Sequence, residues 1–278
     1  MTRDVEICSQ TFGRRDHPPV LLIMGVMASM LWWPDAFCER LAGAGRFVIR
    51  YDNRDTGRST GYEPGTATYT SDDLAGDAVA VLDEHGVERA HVVGMSMGGV
   101  IAQLVALAHP ERVASVSAIS TTAIGGGTGA LPGPTAEYMK HAAAFDELDW
   151  SDTDAVADLI VRDARALAGT RHPFDEAAAR ELVNRDLERA IDPARLRNHF
   201  EVGGDEERWK GRLSEITVPF LVIHGTADPL FPHPHGMALA ASVPGSRLVT
   251  IEGGGHELHE GDWDQILEEI SAHTAAGG

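Results

Sequence analysis

Gly94-Met95-Ser96-Met97-Gly98-Gly99 places a G-x-S-x-G pattern between two apolar segments of different character. Ahead of it stands a short β-branched run, Ala90-His91-Val92-Val93. Behind it, Val100 to Ala108 is apolar and helix-like, and it stops at His109-Pro110. The order is strand, sharp turn, helix. At such a junction the two chain segments pass so closely that side chains at 94 and 98 would collide, which explains the glycines. A serine on this turn is held in a strained conformation with its hydroxyl presented at the top of a sheet. The alternative is a glycine-rich turn whose serine only hydrogen-bonds locally, and the rest of the chain has to separate the two.

Working outward, Val20 to Met24 and Phe47 to Tyr51 read as buried strands, as does Val113 to Ile119. Between them, Pro34 opens a helix that runs to Leu41, and Ser71 caps a second helix with Leu74, Ala78, Val81 and Leu82 on one face. Residues 5–12 are expected as a short opening hairpin. This β-α-β-α-β-α-β order implies an α/β fold with a mostly parallel central sheet flanked by helices. The pattern breaks after Thr121 with a flexible glycine-rich stretch at 125–129 and Leu131-Pro132-Gly133-Pro134. From about 135 to 200 the chain is helical in character. Buried strands return at Val218 to His224 and Arg247 to Ile251, with helices near 234–242 and 262–273. The expected division is a core of residues 1–122 and 216–278, with residues 123–215 inserted between two strands as a helical cap, or lid.

A serine hydroxyl needs a base to become nucleophilic, and the base needs an acid to orient it. On this topology the partners follow in the order acid, then histidine, each on a loop after a later strand. Gly225-Thr226-Ala227-Asp228-Pro229 follows one such strand, and Glu252-Gly253-Gly254-Gly255-His256 follows the next. Ser96, Asp228 and His256 are therefore the candidate catalytic triad. His224 and His259 are read as structural or rim residues, and Asp262 and Asp264 as a helix N-terminus. The backbone N–H groups of Met97 and Val26 are the candidate oxyanion hole. Met24 and Met95 are read as core. Met27, Met30 and Met97, with Trp32 and Trp33, are candidates to line an apolar substrate pocket.

The chain has 278 residues, 43% hydrophobic and 23% charged, with a net charge of −19. That charge repels phosphate backbones and anionic membranes, so neither nucleic acid nor membrane is expected as a partner. Cys8 and Cys38 make neither a disulfide framework nor a metal motif, although a single bridge between them stays open. No metal site and no cofactor are implied; His233-Pro234-His235 is read as incidental. No signal peptide is visible, and a cytoplasmic location is the default. The partner expected is a small-molecule ester, and the oligomeric state is not legible.

The elbow, the acid loop and the glycine-rich histidine loop together resemble the α/β-hydrolase superfamily. Asp52-Asn53-Arg54-Asp55-Thr56-Gly57-Arg58-Ser59 resembles a loop of its smaller esterases and cofactor-free haloperoxidases. Met24-Gly25, Ile49 to Thr60, Ala90 to Gly98, Asp228-Pro229 and Pro234-His235-Gly236 resemble stretches of the aclacinomycin methylesterases. The resemblance implies the α/β-hydrolase fold, carboxylic-ester hydrolysis by a serine esterase, and a structural role for residues 52–59. Position 24 departs from it, with Met where most of the superfamily has His. Hydrolysis of a C–C bond, perhydrolysis, or ligand binding without catalysis remain alternatives on the same framework.

Overall fold

Alternate residues of the central strands face different cores, and this divides the molecule into layers. In β2 (Pro19–Ile23), Leu21 and Ile23 join one apolar cluster while Val20 and Leu22 join another. The first cluster packs under α2 (Ser71–Glu84), α3 (Met97–Ala108) and α8 (Pro234–Ser242). The second packs under α1 (Asp35–Gly43) and α9 (Trp263–Ala275), where Phe37 meets Trp263 edge-on at 5.7 Å and Trp33 at 5.6 Å. Every side chain of β2 from Val20 to Ile23 is fully buried, each contributing about 1.5–3 kcal/mol.

The computed structural model describes residues 5–126, 130–204 and 206–275. Among these residues one seven-stranded sheet runs in the order β1-β3-β2-β4-β5-β6-β7, with β1 (Ser9–Phe12), β3 (Phe47–Tyr51), β4 (Ala90–Met95), β5 (Val113–Ile119), β6 (Phe220–Gly225) and β7 (Arg247–Ile251). All neighbours pair in parallel except β1 and β3. Parallel strands place their C-terminal ends on one edge, so the loops after β2, β4, β6 and β7 converge there.

Two local expectations are corrected. No hairpin forms at 5–12: residues 9–12 are a single strand laid antiparallel on β3, and residues 5–8 are not in a strand. The free edge of β3 offers a full ladder, which a local hairpin of this length cannot match. Thr70, not Ser71, caps α2, through a capping box in which Thr70 and Asp73 exchange side-chain and backbone bonds.

The segment between β5 and β6 carries α4 (Ala136–Ala142), α5 (Thr153–Leu167), α6 (Glu176–Arg189) and α7 (Glu206–Trp209), with a long 3-10 turn at Pro193–Glu201. It has its own apolar cluster of Val156, Ile160, Val161, Val183, Leu187 and Leu196. Met27 and Trp32, from the loop after β2, pack into that cluster. Of the glycine-rich stretch, residues 127–129 lie outside the described residues.

Candidate active site

Ser96 sits between β4 and α3 at φ 55° and ψ −122°, a left-handed conformation that non-glycine residues rarely adopt. Its surroundings hold it there. The Ser96 N–H donates to the Ile119 carbonyl at 3.0 Å, and its carbonyl accepts from Gly99 N–H at 2.9 Å and from the Thr121 hydroxyl at 2.7 Å. A Cβ at Gly94 would strike the Gly98 carbonyl, and one at Gly98 would strike the Ile23 carbonyl. Across the site, a Cβ at Gly25 would stand 3.0 Å from Ser96 Cβ, so the loop after β2 passes directly beside the serine side chain. Met97 opens α3, and a first helical N–H has no partner within its helix.

Asp228 and His256 meet as the sequence order requires. His256 Nδ1 lies 2.8 Å from Asp228 Oδ2. The other oxygen, Oδ1, accepts from the Leu230 and Phe231 N–H groups at 2.9 and 2.8 Å. Burial alone would raise the Asp228 pKa. The charge and hydrogen bond of His256, the His224 ring and the Phe231 N–H outweigh it and hold the carboxyl below its ordinary value. His224 lies fully buried, Nε2 3.6 Å from Asp228 Oδ2, and donates from Nε2 to the Phe231 carbonyl at 2.7 Å. Burial pushes its pKa down and keeps it neutral. It therefore braces the acid loop, and Gly236 leaves room for its ring. His259 stacks on His172 at 4.3 Å, which in turn bonds Asp262 at 2.9 Å.

The pocket residues divide. Trp33 is fully buried against Phe37 and Met30 is 2% exposed, so both belong to the core rather than to a pocket wall. An aromatic-Met run beside a site has the same composition as a core, and only the fold separates them. Met27 and Trp32 instead line a cavity of about 10 Å³ with Ile160, Val183, Asp186 and Leu187, room for about one water. Met24 and Met95 are core, as expected. Cys8 and Cys38 are both free. Burial pushes the Cys38 thiol up to about 12.

Asp52 and Asn53 lie in the loop that the resemblance marks as structural, while their partners on the segment between β5 and β6 carried no sequence signal. Asp52, fully buried, receives the Met30 and Arg58 N–H groups and pairs with Arg189 of α6 at 2.7 Å. Asn53 donates to the Met24 carbonyl at 3.0 Å. Asp186 accepts from Trp32 Nε1 at 2.8 Å, and burial raises its pKa. Asp163 of α5 bonds His141 Nε2 at 3.0 Å, within electrostatic reach of Tyr138 and His256. The segment between β5 and β6 also grips the histidine loop: His256 N–H donates to the Leu167 carbonyl at 2.8 Å, and the Thr170 and Arg171 N–H groups donate to Gly253 at 2.7 and 3.0 Å.

Residues 18–262 match the model of the alpha/beta hydrolase fold family, and the chain belongs to that family. It is 36% identical over 297 residues to rhodomycin D methylesterase DauP of Streptomyces sp. strain C5, covering 99% of this chain and 97% of the relative. It is also 36% identical to rhodomycin D methylesterase DnrP of Streptomyces peucetius, covering 98% and 96%. Among solved structures, the esterase RhEst1 from Rhodococcus sp. ECU1013 superposes with a TM-score of 0.79 at 24% identity, covering 99% of this chain and 96% of that one. Within its family the chain is an enzyme, a carboxylic-ester hydrolase. Among the described residues no helix is long and apolar enough to cross a membrane.

Proposed function

We propose that Ser96, His256 and Asp228 form the catalytic triad of a serine esterase acting on the methyl ester of a bulky, apolar substrate. The observation that carries this reading is the 2.8 Å contact from His256 Nδ1 to Asp228 Oδ2, on loops at the same sheet edge as the strained Ser96. Ser96 Oγ attacks the ester carbonyl while His256 Nε2 takes its proton. The tetrahedral oxyanion is held by the N–H groups of Met97 and Val26. The C–O bond then breaks, and His256 returns the proton to the leaving methanol. Water, deprotonated by the same imidazole, cleaves the acyl-enzyme and releases the acid and free Ser96. Asp228, with Oδ1 committed to two backbone N–H groups, fixes the imidazole tautomer through Oδ2.

Residues 123–215 act as a cap, joined to the loop beside Ser96 through Met27 and Trp32, which pack into its apolar cluster. The methyl-ester reading draws on the full-length similarity to the two methylesterases. Hydrolysis of p-nitrophenyl esters and of aromatic methyl esters by the wild type and by Ser96→Ala tests it. Turnover should fall by about 10⁴-fold or more with the fold retained. Ester hydrolysis that persists in Ser96→Ala removes the triad assignment.

A further inference from the structure

One buried histidine on the segment between β5 and β6 bridges two backbone groups of the core. His199 is 4% exposed. Its Nδ1 lies 2.9 Å from the Met27 nitrogen and its Nε2 lies 2.7 Å from the Arg54 carbonyl. A backbone N–H only donates and a carbonyl only accepts, so Nδ1 must be the acceptor and Nε2 must carry the proton. The ring is thereby confined to one neutral tautomer. Burial lowers its pKa and keeps it there, against the Arg54 carbonyl and the Asp55 charge.

The group that His199 holds is unusual. Met27 has φ 59°, one of four non-glycine residues in the left-handed region among those described, and Ser96 is another. Strain of this kind persists where the surroundings over-determine it. Met27 directly follows Val26 on the loop that passes beside the Ser96 side chain. The far end of the bridge is also tied to that loop, because Asn53, next to Arg54, donates to the Met24 carbonyl.

We infer that His199 is a positioning residue for the oxyanion loop: its Nδ1 anchors the Met27 N–H and so sets where the Val26 N–H points beside Ser96. The inference rests on the proposed oxyanion role of Val26. It assigns to the cap a part in the chemical step, beyond covering the substrate.

The test compares wild type, His199→Leu and His199→Asn as full-length enzyme, by ester turnover, thermal unfolding and affinity for an alkylboronic acid, which forms a tetrahedral anion on the serine. In His199→Leu, kcat should fall about 10- to 100-fold with KM within about threefold, and boronate affinity should fall by a similar factor. His199→Asn, which keeps an acceptor near the Nδ1 position, should lie between the two. Unchanged kcat and boronate affinity, or a loss confined to KM, overturns the inference whatever happens to the melting temperature. If His199→Leu does not fold, His199→Asn decides: a fall of about threefold or more in both kcat and boronate affinity supports the anchor, and no fall overturns it. Ser96→Ala is run alongside. Turnover independent of Ser96 would defeat the esterase mechanism itself, whereas Ser96-dependent turnover indifferent to residue 199 defeats only this inference.

Discussion

At the Ser96 elbow the chain is held by its neighbours in the sheet: Ile119 and Thr121 from β5 and the loop after it, and the Ile23 backbone against Gly98. On the other side of the site, the Met24–Met27 loop is held from far along the chain. His199 anchors Met27 across 172 residues, and Asp186 receives Trp32 Nε1 across 154. The first region belongs to a framework common to the fold, and glycines at three positions are enough to announce it. The second depends on a helical segment with no pattern of its own beyond apolar periodicity. The geometry of Ser96 is thus supplied by the sheet, and the placement of the groups beside it is shared with the segment between β5 and β6.

The largest effect should fall on the proposed triad. Asp228→Asn keeps the shape of the acid but allows the wrong imidazole tautomer, so kcat should drop about 10⁴-fold with little change in unfolding midpoint; ester kinetics beside guanidinium unfolding check both. A normal kcat would show that Asp228 serves only the loop. Arg189→Met probes the other region through stability instead. It strips the counter-charge from the fully buried Asp52, and unfolding free energy should fall by about 3 kcal/mol, measured by denaturant titration. Addition of Asp52→Asn should restore part of that loss.

Third comes acid sensitivity within the sheet. His91 of β4 is buried against the Ser115 hydroxyl at 2.8 Å, and burial, with Arg46, His273 and Arg89, lowers its pKa to about 4. Between about pH 6.5 and 4 the unfolded chain binds a proton there that the folded protein does not, so stability falls as pH drops through that window, by about 3 kcal/mol. His91→Gln should flatten this part of the stability profile; an unchanged profile would assign the acid sensitivity elsewhere. Smallest is Gly169→Ala. A Cβ there strikes the Gly253 carbonyl and the Gly255 nitrogen, so the His256 loop must shift. A drop in kcat of about tenfold with a melting temperature lowered by only a few degrees is expected, and an unaffected kcat would show that the grip of the segment between β5 and β6 on this loop is catalytically idle.

The α/β order and the candidate site of Ser96, Asp228 and His256 were legible because each rests on local chemistry. Buried strands are short apolar runs, and elbow glycines stand where two backbones touch. The acid and histidine follow strand ends in a fixed order. Elements whose partners are distant were not legible in the same way. Residues 5–12 looked like a hairpin because alternation says nothing of which edge a strand will join, and β3 claimed residues 9–12. Met30 and Trp33 looked like pocket residues because core and pocket share a composition.

From its sequence alone this chain is an α/β hydrolase with a serine-acid-histidine order, since strand periodicity and the steric demand of the elbow act over a few residues. Tertiary structure decided how His199, Asp186 and Arg189 meet the loops around Ser96. Their partners are mostly backbone amides, carbonyls and buried carboxylates more than 130 residues away, and such groups become recognisable only when folding brings them within hydrogen-bond reach and removes the water that would otherwise satisfy them.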